Sequence, residues 1–218
     1  MKYMFFDLDG TLIDSAAGIT ASVIYALEKF GIEEDDKAKL RRFIGPPLMD
    51  SFREEYNFSE EDARRAVGYY REYYADKGIF ENSVYEGIPE LLARLQNTGF
   101  ILAVTTCKPE VYTARILEHY ELAKYFTLTA GSTMDGSRSS KGEVIDYAIE
   151  KFGANPKEIV IIGDRKMDME AAVERSIKSV GVMYGYGGLN ELMEAGADHI
   201  VGSLPDLSMI LGCMYLSE

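Results

Sequence analysis

Cysteine and histidine occur only twice each in this 218-residue chain, proline six times, and basic residues fall far short of acidic ones, 23 against 36. Each shortage excludes something. Cys107 and Cys213 make neither a disulfide framework nor a metal-ligand spacing, so both are expected to be reduced thiols. His119 and His199 have no placed partner and are expected to be structural or surface residues. The formal net charge of -13 excludes nucleic acid or an anionic membrane as the main partner, because such partners need a basic face. It does not exclude a small anionic substrate, since a metal ion and a few placed cations can invert a local field. Long apolar runs are also missing. The stretch Met209–Leu216 is too short to span a bilayer and contains Gly212, expected to break it. The first residues lack the pattern of a signal peptide, so a cytoplasmic location is expected.

What remains is an ordinary globular composition, 47% hydrophobic and 27% charged, long enough for one domain with an insertion or for a larger and a smaller domain. The chain opens on a strand, Lys2 to Asp7. Ile19, Val23, Leu27 and Phe30 then recur at helical spacing, with a stop at Gly31. Residues 33–78 read as all-helical, broken at Pro46-Pro47. Ser59 and Asp62 are spaced as a helix start. After about residue 84 the pattern changes. Strands are predicted over Phe100–Thr106, Thr127–Ala130, Glu158–Ile162, Ser179–Met183 and His199–Val201, alternating with helices. Continuous apolar strands between helices predict a parallel sheet covered on both faces. The expected fold is therefore α/β, a Rossmann-like parallel sheet core made of residues 1–14 and 84–218. An all-helical cap, residues 15–83, is inserted after the first strand.

Ligands of such sheets sit at the carboxyl ends of the strands, and four sequence elements fall there. In Asp7-Leu8-Asp9-Gly10-Thr11 two acids follow an apolar strand and Gly10 permits a tight bend. Two carboxylates held together repel unless a cation compensates, which asks for a hard oxygen-loving ion such as Mg²⁺. The others are Thr105-Thr106-Cys107-Lys108, Lys141 at a helix start, and Gly163-Asp164 with Asp168 four residues on. Taken singly they are weaker. Asp is a favoured helix N-cap, so Asp164 could merely cap the helix that follows, a lesser reading that can coexist with metal binding. Lys141 alone reads as a surface lysine. Asp135-Gly136 reads as a turn, Arg138 as a solvated loop residue, and Tyr69, Tyr70, Tyr73 and Tyr74 as packing within the cap.

In this order, the four elements resemble the haloacid dehalogenase superfamily. Phe43-Ile44-Gly45-Pro46-Pro47-Leu48 and Val182-Met183-Tyr184-Gly185-Tyr186-Gly187 are similar to its phosphoglycolate phosphatase and 5′-nucleotidase-like branch. The resemblance implies a Mg²⁺-dependent phosphomonoesterase acting on a small phosphorylated metabolite, of the phosphoglycolate or nucleoside monophosphate type. It implies catalytic roles for Asp7 as nucleophile, Asp9 as acid and base, Thr106 as a phosphoryl ligand and Lys141 as a point charge. It implies a metal site made by Asp7, the Asp9 carbonyl, Asp164 and Asp168. Substrate contacts are expected from Thr106, Cys107, Lys108, Gly45 and Pro46, with Thr105 a rival to Thr106. Cys107 departs from the family pattern, which commonly has Asn or Ser there, and Ser176 stands where a glycine often ends the helix. The rival readings are a phosphomutase of the β-phosphoglucomutase type, a dehalogenase proper, which needs neither Asp9 nor Asp164, and a non-catalytic module on the same fold. The cap is expected to close over the substrate.

Overall fold

β1 (Tyr3–Phe6) is buried along its whole length, as a continuous apolar run requires when both faces of a sheet are covered. A computed structural model describes residues 1–216, with side chains to Met214. By contacts the chain divides into two compact units, Met1–Ile13 together with the chain from Val84 onward, and Asp14–Ser83.

The first unit carries a parallel α/β layer. After β1 come α5 (Ile88–Asn97), β4 (Ile101–Pro109), α6 (Glu110–His119), β5 (Leu128–Ser132), α7 (Lys141–Phe152), β6 (Ile159–Gly163), α8 (Lys166–Glu174), β7 (Lys178–Val182), α9 (Leu189–Glu194), β8 (His199–Val201) and α10 (Leu204–Leu216). The intervening numbers belong to β2 (Ile13–Asp14), α1 (Ala16–Glu28), α2 (Lys37–Arg41), α3 (Leu48–Tyr56), α4 (Glu60–Asp76) and β3 (Ser83–Val84). Six strands form one sheet in the order β5-β4-β1-β6-β7-β8. β1 lies between β4 and β6, with Phe6 level with both Val104 and Ile162. Strand order thus places the residues that follow β1, β4 and β6 side by side. One face is filled by Tyr3, Phe5, Ala103, Ile159 and Ile161, under Val144, Ile145 and Ala148 of α7 and Ala171 and Ala172 of α8. Truncating Phe5 in such a packed layer costs about 3–5 kcal/mol.

The second unit is helical, with α1, α2, α3 and α4. Its interior is aromatic. Phe43 meets Phe52 at 4.9 Å, Phe30 meets Phe58 at 4.7 Å, and Tyr70 stacks on Tyr74 at 5.3 Å. Of the tyrosine cluster, Tyr70 and Tyr74 are buried inside the unit, Tyr69 and Tyr73 are half-buried, and Tyr73 donates its hydroxyl to Glu81. Ser59 caps α4 by accepting from the Asp62 N–H.

Two sequence expectations change. The strand read as ending at Thr106 runs on to Pro109, with a register shift against β5 between Thr105 and Pro109. Gly212 does not break the C-terminal stretch, because α10 runs through it; a glycine inside a helix costs about 1 kcal/mol against alanine, which packing can outweigh. No described helix is long and apolar enough to cross a membrane. The paired short strands β2 and β3 had no sequence signal, being two residues each.

Candidate active site

The turn after β1 is built around Gly10. Its φ is +83°, and a Cβ there would lie 2.1 Å from Asp164 Oδ2, so only glycine lets the turn and Asp164 approach. Asp7 donates its backbone N–H to the Ile162 carbonyl at 2.8 Å, which ties the turn to β6. Asp164 and Asp168 follow from the end of β6 and the first turn of α8. Asp7, Asp164 and Asp168 are all buried and offer carboxylate oxygens within 4.8 Å of one another.

Two lysines meet these acids. Lys141 Nζ lies 2.6 Å from Asp7 Oδ1 and 2.6 Å from Asp168 Oδ1, and donates to the Thr105 carbonyl at 2.6 Å. It sits at the first position of α7, whose N-cap Ser140 forms a reciprocal capping box with Glu143. A cation at a helix N-terminus opposes the helix dipole; here the carboxylates outweigh that. Lys108 Nζ meets both oxygens of Asp9, each at 2.7 Å.

The electrostatics follow from burial. Desolvation pushes the Asp7 carboxyl up to about 6, against the pull of Lys141 and with the push of Asp168. Asp164 is raised well above the ordinary carboxylate range, first by burial, then by Asp7 and Asp168, despite the Tyr186 N–H. Burial pulls Lys141 down, but Asp168 and Asp7 hold it above its usual range. Three buried carboxylates held together, with all-oxygen donors, fit a small hard divalent cation. Mg²⁺ takes such ligands while keeping positions for water and phosphate, so Asp7, Asp164 and Asp168 could hold it.

Over residues 4–182 the chain matches the family of haloacid dehalogenase-like hydrolases. It is 41% identical over 206 residues to a Pseudomonas aeruginosa protein named 5′-nucleotidase, covering 94% of this chain and 93% of that one. It is 32% identical to an Aquifex aeolicus protein named phosphoglycolate phosphatase, covering 87% and 88%. Its fold superposes on the crystal structure of a "predicted phosphatase" from Clostridium acetobutylicum with a TM-score of 0.94 and 48% identity, covering 96% and 97%. The chain is a haloacid dehalogenase-like hydrolase. The resemblance drawn from the four motifs, and the α/β fold expected with it, are what the comparisons find.

Within this hydrolase the sequence candidates fall in several places. Asp7, Asp9, Lys108, Lys141, Asp164 and Asp168 come together through the contacts above. Thr106 accepts the Lys108 N–H at 3.2 Å, whereas Thr105 offers its carbonyl to Lys141. Cys107 is partly buried, and burial, opposed by Lys141, pushes its thiol up to about 12, so it is not a nucleophile near neutral pH. Gly45 and Pro46 are partly buried in the turn between α2 and α3 of the helical unit, Gly45 with φ +106°.

Asp164, Asp168 and Arg138 have partners that the sequence did not show. Asp164 does not cap the helix after it; its Oδ2 accepts the Tyr186 N–H at 2.7 Å. Asp168 does the capping, accepting the Arg165 N–H at 3.1 Å while its other oxygen meets Lys141. Arg138 is not a solvated loop residue. It donates to the Gly131 carbonyl at 2.7 Å and to Glu110 at 2.6 Å, and stacks over Tyr147 at 3.9 Å. Sequence reasoning gave no role to Thr11 and Tyr184. The Thr11 hydroxyl donates to Asp164 Oδ1 at 3.4 Å, and Tyr184 donates to the Thr11 carbonyl at 3.1 Å. The signal for each was the quoted motif that contains it, Asp7–Thr11 for Thr11 and Val182–Gly187 for Tyr184.

Proposed function

We propose that this hydrolase is a Mg²⁺-dependent phosphomonoesterase that works through an aspartyl-phosphate on Asp7. Its substrate is a small phosphorylated metabolite of the phosphoglycolate or nucleoside monophosphate type. The observation that carries the proposal is one ammonium, Lys141, 2.6 Å from both Asp7 and Asp168 within a buried carboxylate triad. The names of the relatives, 5′-nucleotidase and phosphoglycolate phosphatase, support the phosphate-ester class.

In this proposal the free oxygen of Asp7 attacks phosphorus. The ester P–O bond breaks, and the leaving oxygen takes a proton from Asp9. Water then gives a proton to Asp9 and attacks the phosphorus, releasing inorganic phosphate and restoring the Asp7 carboxylate. Lys141 stabilises charge on the transferring group and keeps Asp7 oriented, and Thr106 holds phosphoryl oxygens. Asp7, Asp164, Asp168 and the Asp9 carbonyl would hold Mg²⁺, which would supply neutralisation of the phosphate charge. The residues of the helical unit, Gly45 and Pro46 among them, select the leaving group, and that unit closes over the substrate to limit water.

A panel of phosphoglycolate, nucleoside monophosphates, sugar phosphates and pyrophosphate, with and without Mg²⁺, tests this reading. Mg²⁺-stimulated phosphate release from at least one ester, lost in Asp7→Asn, is expected. No release from any member would overturn it, and a bisphosphorylated sugar accumulating instead would turn it toward a mutase.

A further inference from the structure

The two acids of the Asp7-Leu8-Asp9 turn are served by different cations. Asp7 belongs to Lys141. Asp9 belongs to Lys108, which reaches both of its oxygens at 2.7 Å, with side chains only 5% and 8% exposed for lysine and aspartate. A buried ammonium on both oxygens of one carboxylate fixes the carboxylate's rotation as well as its charge.

The backbone that carries Lys108 is itself held. Lys108 lies where β4 shifts register against β5. The Lys108 N–H turns back to the Thr106 hydroxyl. Gly131 of β5 has no Cβ; one would lie 2.6 Å from the Lys108 carbonyl oxygen and 2.7 Å from the backbone of Glu110, so β4 can press against β5 at this point. Arg138 closes the same corner, bonded to the Gly131 carbonyl and to the Glu110 carboxylate. Lys108 therefore projects from an anchored strand end.

We propose that Lys108 is a positioning residue for the reaction and acts on the substrate only through Asp9. The proposal rests on the phosphatase reading above. In the first half-reaction the Asp9 proton passes to the leaving oxygen as the ester P–O bond breaks and the bond from Asp7 to phosphorus forms. Asp9 is left as a carboxylate, and Lys108 donates to both of its oxygens, which is the arrangement seen here. In the second half-reaction that carboxylate, still fixed in rotation, takes the proton of the attacking water. A lysine that instead bound the phosphoryl group would meet substrate oxygens and would matter equally for every ester.

Leaving groups separate these roles. kcat/KM reports all steps through departure of the leaving group, so it reads proton donation without the hydrolysis that follows. An alkyl phosphate needs a proton on its leaving oxygen; p-nitrophenyl phosphate needs little help. The experiment measures kcat/KM on both esters, with Mg²⁺, for the wild-type chain, Lys108→Met, Lys108→Arg, Asp9→Asn and the Asp9→Asn/Lys108→Met double variant. Lys108→Met is expected to lose about 10²-fold on the alkyl ester and less than about tenfold on p-nitrophenyl phosphate, the range of a disabled general acid. Lys108→Arg recovers most of the loss, and the double variant is no slower than Asp9→Asn. Equal losses on both esters, a double variant well below Asp9→Asn, or no loss at all would each overturn the proposal. If circular dichroism shows Lys108→Met unfolded, Lys108→Gln takes its place under the same criteria. A wild-type chain that cleaves no phosphate ester removes the phosphatase reading and this proposal together. An active wild type with an impaired Asp9→Asn and an unaffected Lys108→Met removes this proposal alone.

Discussion

Arg64 and Glu60 on α4 meet at 3.0 Å with side chains 74% and 73% exposed, whereas Lys141 and Asp168 meet at 2.6 Å with side chains 4% and 1% exposed. The same chemistry in the two units has opposite consequences. An exposed pair is screened by water and salt and adds almost nothing to stability. A buried pair has given up its hydration, so losing one partner is costly, while the pair itself is a poor source of stability. The strand edge is also unbalanced. Asp7, Asp9, Asp164 and Asp168 are buried together, and Lys108 and Lys141 pair with Asp9, Asp7 and Asp168. Buried charge that does not balance is a burden on the fold, and such burdens gather at sites of chemistry.

The largest expected break in this comparison is Asp7→Asn. It is nearly isosteric but removes the proposed nucleophile, so turnover should fall by about 10⁴-fold or more while circular dichroism stays that of the wild type. Near-normal phosphate release would sink the mechanism. Removal of the metal comes next. Excess chelator should abolish activity, and Ca²⁺, which takes more oxygen ligands in a looser geometry than Mg²⁺, should inhibit. Binding also has a readout apart from turnover. At about 100 times its dissociation constant, Mg²⁺ should stabilise the fold by about 2.7 kcal/mol in denaturant titrations. An unshifted midpoint would deny the triad a metal.

A smaller effect concerns pH in the metal-free chain. A carboxyl raised in the folded state stabilises the fold fully below its unfolded value, near 4, and loses that contribution as pH climbs through its folded value, about 6 for Asp7. Stability from Asp7 should therefore fall across that window by an amount on the order of 3 kcal/mol, and the raised Asp164 extends the loss upward. Lys141, held above its usual range, stays charged throughout. Glu34 and Asp135, each lowered to about 2, act in the acid range below it. Urea titrations in chelator on either side of the window check this. Asp7→Asn should show a shallower slope, and an equal slope would contradict the assignment.

In the helical unit the effects shrink. Replacing Pro46 and Pro47 with alanine should change kcat/KM ratios among phosphate esters several-fold while sparing a small aryl phosphate, and unchanged ratios would make the turn a plain connector. Arg64→Ala should leave the melting temperature unmoved; a clear drop would mean that exposure does not separate the two kinds of ion pair.

The legible part of the molecule was the part with strong local chemistry. Apolar runs gave β1 and β6, and Gly10 gave the bend after β1. The four motifs gave the acids and Lys141, because a strand-end rule gathers distant residues without knowledge of strand order. What was hidden depended on long-range placement. Nothing near Lys108 in sequence says that it meets Asp9, 99 residues away. Arg138 looked solvated because Gly131, Glu110 and Tyr147 approach it only after β5, α6 and α7 pack. Asp164 turns to the Tyr186 N–H because the loop after β7 arrives there, and Asp168 caps α8 instead.

The central claim is a phosphoryl group carried on Asp7. Rapid acid quench of the enzyme turning over its best ester, followed by peptide mass spectrometry, tests it most directly, with Asp9→Asn included to slow the second half-reaction. The account predicts one added phosphoryl group on the peptide containing Asp7, localised to that residue and absent from Asp7→Asn. A phosphoryl group on any other side chain, or none in an enzyme that is releasing phosphate, would contradict it.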